Sequence, residues 1–122
     1  MRDRRAALLR NVDGLPHVVL GPVLLMKVEP LERRTGVPRR VLAAVLLPFT
    51  AYGLAVVAGT RRLDAPSPRW LLPLAVTANT AAVVAGSVAV THRHLTLLGR
   101  MAGGGLAAGG VRVLMALRRP PA

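Results

Sequence analysis

The stretch that most constrains this chain is residues 70–91, WLLPLAVTANTAAVVAGSVAVT, which carries no charged side chain. An α-helix rises about 1.5 Å per residue, so a helix of this length reaches about 30 Å, the thickness of the hydrocarbon core of a bilayer. The tryptophan at its start suits the membrane interface, where indole rings concentrate. The stretch therefore predicts an integral membrane protein, with the lipid bilayer as its first partner.

Charge and hydropathy are segregated along the whole chain. Apolar residues make up 52% of it, yet it has one Phe, one Tyr and one Trp, and no Ile, so the usual large core residues of a soluble domain are scarce. The apolar residues form uncharged blocks, and the charged residues form short runs between them. This pattern predicts an all-α fold in which residues 1–122 form a single four-transmembrane-helix bundle.

The four predicted spans differ in quality. They lie at about residues 15–29, 41–59, 70–91 and 95–117. The first is short and ends with Lys27, which can reach the interface with its long side chain; an interfacial helix is the alternative. The last is interrupted by Arg100 and Arg112, which lie near its ends and can do the same.

The segments on either side of the first span are polar. Residues 1–10 form a basic head, which we expect to be retained, and Asp13, Gly14 and Pro16 interrupt the apolar run that follows. Residues 30–40, PLERRTGVPRR, read as a solvated polar loop. Gly36 and Pro38 within it predict a break followed by the start of a helix.

The third span has distinct faces on a helical wheel. One face carries small residues and an amide, and predicts close contact with another helix (Ala75, Asn79, Ala82, Gly86 and Ala89). A second face carries hydroxyls (Thr77, Thr80, Ser87 and Thr91). A bulky arc is expected to face lipid (Leu72, Val76, Val83 and Val90). Asn79 should point inward, because an isolated amide in hydrocarbon is costly.

Further helix-packing candidates lie on the second and fourth spans. Tyr52 is deep in the second span, and its hydroxyl needs a partner. Gly99 and Gly103 form a small-xxx-small pair in the fourth span, and Gly105 and Gly109 form another. Together with Asn79, Ala82 and Gly86, we single out Tyr52, Gly99 and Gly103 as packing residues.

The sequence offers little for metal, cofactor or nucleic-acid chemistry. The formal net charge is +12, but the arginines come in pairs at the edges of apolar blocks without interleaved aromatic residues, which favours topology signals over a nucleic-acid surface. His92 and His94 have no acidic or thiol neighbour and make a poor metal site. We expect no catalytic, cofactor or metal residues, no cofactor and no nucleic-acid partner.

The basic residues also predict an orientation. With four spans, nine lie on the side of the termini and five on the other (Arg2, Arg4, Arg5, Arg10, Arg61, Arg62, Arg69, Arg118 and Arg119 against Arg33, Arg34, Arg39, Arg40 and Arg93). Positive residues are retained in the cytoplasm. We therefore expect a multi-pass protein of the plasma (inner) membrane with both termini cytoplasmic.

Two functions fit this architecture. The first is a non-enzymatic structural or accessory membrane component that associates with itself or with another membrane protein. The alternative is a small transporter or channel-like subunit acting as an oligomer. Coupled export of cations generally needs a carboxylate inside the membrane. All five acidic residues are expected to flank the spans or lie outside them, and this favours the first function (Asp3, Asp13, Glu29, Glu32 and Asp64).

Several short motifs resemble a known group of proteins. They are GVP at 36–38, LLPF at 46–49, Asn79 with Ser87, and LTLLG at 95–99. In this order they are similar to those of uncharacterised small four-helix integral membrane proteins of GC-rich, actinobacterial-type bacteria. Members often carry a tryptophan three residues after the asparagine, where this chain has Ala82. The resemblance implies the four-helix fold and brings no established activity.

Overall fold

The protein is all-α in the computed structural model, which describes residues 4–61 and 66–118. The helices are α1 (Arg4–Leu9), α2 (Leu15–Met26), α3 (Val28–Thr35), α4 (Arg39–Gly59), α5 (Leu71–Thr91) and α6 (Leu97–Arg118). Arg2, Arg62 and Arg119, which enter the charge count above, lie outside the described residues, as do Asp3 and Asp64.

The N-terminal part of the chain is helical before the predicted start of the first span at residue 15. A single π-helical turn, Arg10–Gly14, joins α1 to α2, so residues 4–26 are helical without a break. Asp13, Gly14 and Pro16 interrupt the apolar run of the sequence, but they do not interrupt the helix. Pro16 has no backbone N–H to donate to the preceding turn, and the helix accommodates this by widening, with the Leu15 N–H bonded to the Arg10 carbonyl.

Helix α2 ends at Met26, three residues before the predicted end of the first span at residue 29. Residues 30–40 are not one solvated loop, because α3 occupies Val28–Thr35. The break predicted at Gly36 is confirmed: this glycine ends α3 with a φ of 78°, a left-handed conformation that favours glycine. Pro38 then precedes the first residue of α4, as predicted.

Two antiparallel helix pairs make up the fold. In the first pair the π-turn and α2 pack on α4, with Gly14 beside Val56 and Gly21 beside Thr50. In the second pair α5 packs on α6, where Asn79 lies beside Gly110. Glycine at these positions lets the helix backbones approach closely, because a Cβ there would meet atoms of the neighbouring helix.

The two pairs are joined at both ends. At one end an apolar cluster is contributed by four helices (Leu9, Tyr52, Val56, Leu71, Ala75, Val113 and Leu117). At the other end the Thr96 N–H donates to the Thr35 carbonyl at 3.0 Å, and the Thr96 hydroxyl donates to the Arg34 carbonyl at 2.5 Å. The same hydroxyl accepts from the Gly99 N–H and so caps α6.

Two of the described helices, α4 and α5, are long and apolar enough to cross a membrane. The other long segments are more polar: residues 4–26 include Arg4, Arg5, Arg10 and Asp13, and α6 combines two internal arginines with six glycines. A bundle of four spans is therefore not established by these helices.

Candidate functional site

A buried carboxylate joins the two helix pairs at mid-height. Asp13 is 3% exposed, and its Oδ2 accepts a 2.6 Å hydrogen bond from the Tyr52 hydroxyl and a 2.9 Å hydrogen bond from the Asn79 amide. The Asn79 amide also donates to the carbonyl of Ala75 in its own helix at 2.9 Å. One carboxylate oxygen is thus the meeting point of the N-terminal helix, α4 and α5.

The local sequence explains how Asp13 reaches this position. Asp13 lies in the π-turn, which shifts the side chains that follow relative to a regular α-helix; such turns are frequent at functional sites. The next residue, Gly14, lies against α4, where a Cβ would be 3.1 Å from side-chain carbons of Val56 and Val57. On the facing helix, a Cβ at Gly53 would lie 2.6 Å from that of His17. The close approach of the two backbones brings Asp13 to Tyr52.

Aromatic rings form the next layer of the site. His17 lies one helical turn after Asp13, and its ring stacks on Phe49 with centroids 3.7 Å apart and planes 17° apart. It meets Tyr52 edge-on at 5.6 Å. The buried Nδ1 of His17 has no hydrogen-bond partner within the described part of the chain. His17 is therefore held by ring packing, with one ring nitrogen buried.

These residues line a cleft of about 460 Å³ between the two helix pairs. Small residues of α5 and α6 form the opposite wall, and the cleft exists because none of them carries a large side chain (Ala78, Ala81, Ala82, Ala85, Gly105, Gly109 and Gly110). The remaining lining is Val12, Ala44, Val45, Pro48, Leu106 and Val113. Ligand pockets are typically of this size and combine apolar walls with a few polar groups.

The predicted packing residues lie in two places. Asn79 is 6% exposed and Tyr52 is 9% exposed, and both belong to the carboxylate site. Gly86 and Gly103 face each other across the α5–α6 contact, where a Cβ on Gly86 would meet the Gly103 carbonyl. Gly99 lies against the Thr35 carbonyl of α3. Ala82 is half-buried and lines the cleft.

The predicted faces of α5 need one correction. Val83 is not on an outer face, because its Cγ2 would lie 2.9 Å from a Cβ on Gly110 of α6. The hydroxyl face is exposed and meets no neighbouring helix within the described residues; Thr80 and Thr91 donate to carbonyls of their own helix. The rest of the bulky arc, Leu72, Val76 and Val90, is exposed.

Sequence reasoning missed the carboxylate. Asp13 was expected to flank the spans, but it contacts residues from the middle of α4 and α5. His17 was also passed over. A signal was present in the sequence: Asp13 and His17 are four residues apart, a spacing that puts two titratable side chains on one face of a helix.

The arrangement can hold a positive charge. Oδ2 already has two donors, whereas no donor from the described residues reaches Oδ1 of Asp13, and no lysine or arginine lines the cleft. Within residues 4–61 and 66–118, no three His, Cys, Asp or Glu side chains gather as a metal site; His92 and His94 lie together in the exposed α5–α6 turn.

Comparisons of the chain with protein-family models, with curated proteins and with solved structures find no significant match. The functional proposal therefore rests on the geometry of the site.

Proposed function

We propose that this chain is a small multi-pass integral membrane protein that binds a cation at Asp13 and exchanges it across the membrane, as a transporter or a transporter subunit. The observation that carries the proposal is the burial of one carboxylate between mid-helix residues at the wall of an open cleft. It also removes the main argument against transport, which was that every acidic residue would lie outside the helical core.

The surface supports a membrane environment. Only 22% of the apolar window of α4 and of α5 is buried inside the protein, whereas the core helix of a soluble protein would be mostly buried. Large apolar side chains are exposed on every long helix, among them Val19, Leu47, Val84 and Met101. An apolar surface this extensive needs a non-aqueous neighbour, and acyl chains supply one.

Four crossings remain our proposal for the topology. Helical segments 4–26, 39–59, 71–91 and 97–118 each exceed 20 residues, enough to cross the hydrocarbon core. Arg100 is oriented toward one end of the bundle, since its Nε donates to the Val90 carbonyl at the end of α5. The excess of basic residues favours cytoplasmic termini. Labelling of a terminal tag from outside intact cells would contradict this orientation.

The chemistry of the site favours a cation. An ionisable residue inside a membrane protein is expensive to bury and usually marks an ion or proton pathway. Tyr52 and Asn79 lower that cost by donating to Oδ2, and they leave Oδ1 for an incoming proton or cation.

A second function, a structural or accessory membrane component, is favoured by the same contacts. Asp13 joins the two helix pairs through hydrogen bonds to Tyr52 and Asn79, so these three side chains can serve only to hold the helices together. On that view Asp13 contributes to stability and no cation passes.

Flux measurements separate the two. The purified chain would be reconstituted in liposomes containing a pH-sensitive dye, and external Na⁺, K⁺ or an organic ammonium would be added under an imposed pH gradient. We expect at least one cation to change the internal pH with the wild-type chain and not with Asp13→Asn. Thr80→Ala is the control, because its hydroxyl bonds only within α5.

Each outcome decides between the functions. Flux that depends on Asp13 supports the transporter. Absence of flux with every cation, combined with lower stability of Asp13→Asn, would overturn it in favour of the structural component. Equal flux for the wild-type chain and Asp13→Asn would remove Asp13 from any pathway.

A further inference from the structure

We infer that the cleft binds a lipophilic organic monocation, with the positive charge at Asp13 and the apolar groups against α5 and α6. This inference deepens the proposed function and rests on its cation site. It names the class of ligand, which the buried carboxylate alone does not.

The size and lining of the cleft exclude a bare metal ion as its best occupant. A volume of about 460 Å³ suits a molecule with many non-hydrogen atoms. Apart from Asn79, its far wall is mainly alanine and glycine, which have no side-chain ligands for a dehydrated ion. A compact inorganic ion would leave most of this apolar surface uncovered, whereas hydrocarbon groups would cover it.

The carboxylate of Asp13 determines the sign of the charge that the ligand carries. Asp13 is the carboxylate of the cleft, and no lysine or arginine among its lining residues balances it. A monocation placed at Oδ1 would compensate the buried charge, whereas an anion of the same shape would be repelled. Electrostatic complementarity of this kind provides selectivity between ligands of equal size.

Aromatic rings next to the carboxylate fit an organic cation. Phe49 and His17 stack face to face, and Tyr52 meets His17 edge-on, all at the cleft wall. The face of an aromatic ring attracts cations, most strongly where water is excluded. Alkyl or aryl groups around a quaternary centre would contact the same rings.

The cleft also opens where such a ligand would enter. Ala81, Ala85, Gly105 and Gly109 line it, lie near the middle of their helices and are exposed. In the proposed membrane topology this opening faces the acyl chains, not water. A lipophilic cation concentrates in the bilayer and reaches the site laterally, a route that a hydrated ion does not have.

The test uses two probes of the same shape and opposite charge. Binding of tetraphenylphosphonium and of tetraphenylborate to the full-length chain in detergent would be measured by calorimetry against empty micelles. We expect saturable binding of the phosphonium, at least about tenfold tighter than that of the borate, because a charge of either sign is discriminated at a buried site. Asp13→Asn should abolish the difference between the probes.

Gly109→Leu tests the cleft itself. A Cβ on Gly109 would have no neighbouring atom within 4 Å, so leucine can fill the cleft without disturbing helix contacts. We expect a loss of phosphonium binding of at least about tenfold, which corresponds to about 1.4 kcal/mol. Ala108→Leu is the matched control: it adds leucine one residue earlier on α6, at an exposed position outside the cleft.

Three results would overturn the inference. The first is equal affinity for the two probes, and the second is unchanged phosphonium binding by Gly109→Leu. The third is a co-purified phospholipid that the phosphonium does not displace in native mass spectrometry. Any one of them is sufficient. If these occur while cation flux still depends on Asp13, the cation site stands and only the class of ligand is wrong. If flux is absent as well, the proposed function fails with it.

Discussion

Asp13 and Asn79 are 66 positions apart in the chain, and the amide of Asn79 donates a 2.9 Å hydrogen bond to Oδ2 of Asp13. Both side chains are buried, at 3% and 6% exposure. Removing this acceptor would leave the Tyr52 hydroxyl without an acceptor and would break the link between Asp13 and the Asn79 amide, which keeps its bond to the Ala75 carbonyl. The contact therefore couples the position of the π-turn to the position of the middle of α5.

Replacing Asp13 tests this dependence directly. Asp13→Ala leaves the Tyr52 hydroxyl without its acceptor and removes one of three acceptors from the Asn79 amide, and each unsatisfied buried group costs about 1–3 kcal/mol. We expect a free energy of unfolding lower by at least about 2 kcal/mol. Asp13→Asn keeps an acceptor oxygen and should lose less. The measurement is reversible unfolding in mixed detergent micelles, with Thr80→Ala as the control; equal stability of Asp13→Ala and the control would contradict the prediction.

Tyr52→Phe isolates one of the two hydrogen bonds. The substitution keeps the ring against His17 and removes the hydroxyl that donates to Asp13 at 2.6 Å. In the wild-type chain we expect a loss of about 1–3 kcal/mol. In the Asp13→Ala background the loss should shrink, giving an interaction energy of about 0.5–3 kcal/mol in a double-mutant cycle. Additive losses would mean that the hydroxyl and the carboxylate do not act together.

Much of the helical structure is readable from the sequence. The uncharged blocks at 41–59 and 70–91 coincide with α4 and α5 to within two residues, because length and hydropathy alone decide such helices. Gly36 and Pro38 mark the α3–α4 break because their backbone restrictions are local. The all-α class follows from the same patterns and is confirmed.

The sequence alone did not predict the carboxylate site. Asp13, Gly14 and Pro16 are each typical of loops, and only the packing of Gly14 on Val56 shows why the helix continues through them. The partners of Asp13 lie 39 and 66 positions away, and a single sequence contains no measure of such proximity. The orientation of Val83 was missed for a related reason: the wheel gives the faces of a helix but not which of them the neighbouring helix covers.

Acidification should loosen the start of α4. The Arg39 amide donates a 2.6 Å hydrogen bond to Oε2 of Glu32, and this bond, together with the Arg39 guanidinium, lowers the pKa of Glu32 from its ordinary value of 4.5. A carboxylate with a lowered folded-state pKa contributes stability above the unfolded value, and this contribution is lost as pH falls through the folded value. We therefore expect the contact to persist at pH 4.5 and to disappear at lower pH.

Nuclear magnetic resonance can follow this titration at a single amide. The Arg39 N–H signal should shift as Glu32 becomes protonated, and its hydrogen exchange should accelerate below that point. Glu32→Gln is the control, because the neutral amide side chain does not titrate and should leave the Arg39 signal constant. A wild-type Arg39 signal that stays constant while the chain remains folded would show that Glu32 does not cap α4.

The two glycine pairs of α6 should respond to substitution in opposite directions. Alanine is favoured over glycine inside a helix by about 1 kcal/mol, so Gly105→Ala, whose Cβ meets no atom within 4 Å, should raise the free energy of unfolding by up to that amount. At Gly103 an added Cβ would lie 2.5 Å from that of Ala89 and 3.1 Å from the Gly86 carbonyl, which forces α5 and α6 apart. We expect Gly103→Ala to destabilise the chain by about 1–3 kcal/mol despite its better helix propensity. Unfolding of the two variants side by side in the same micelles measures the difference. Changes of the same sign would mean that α6 packs on α5 through a different face.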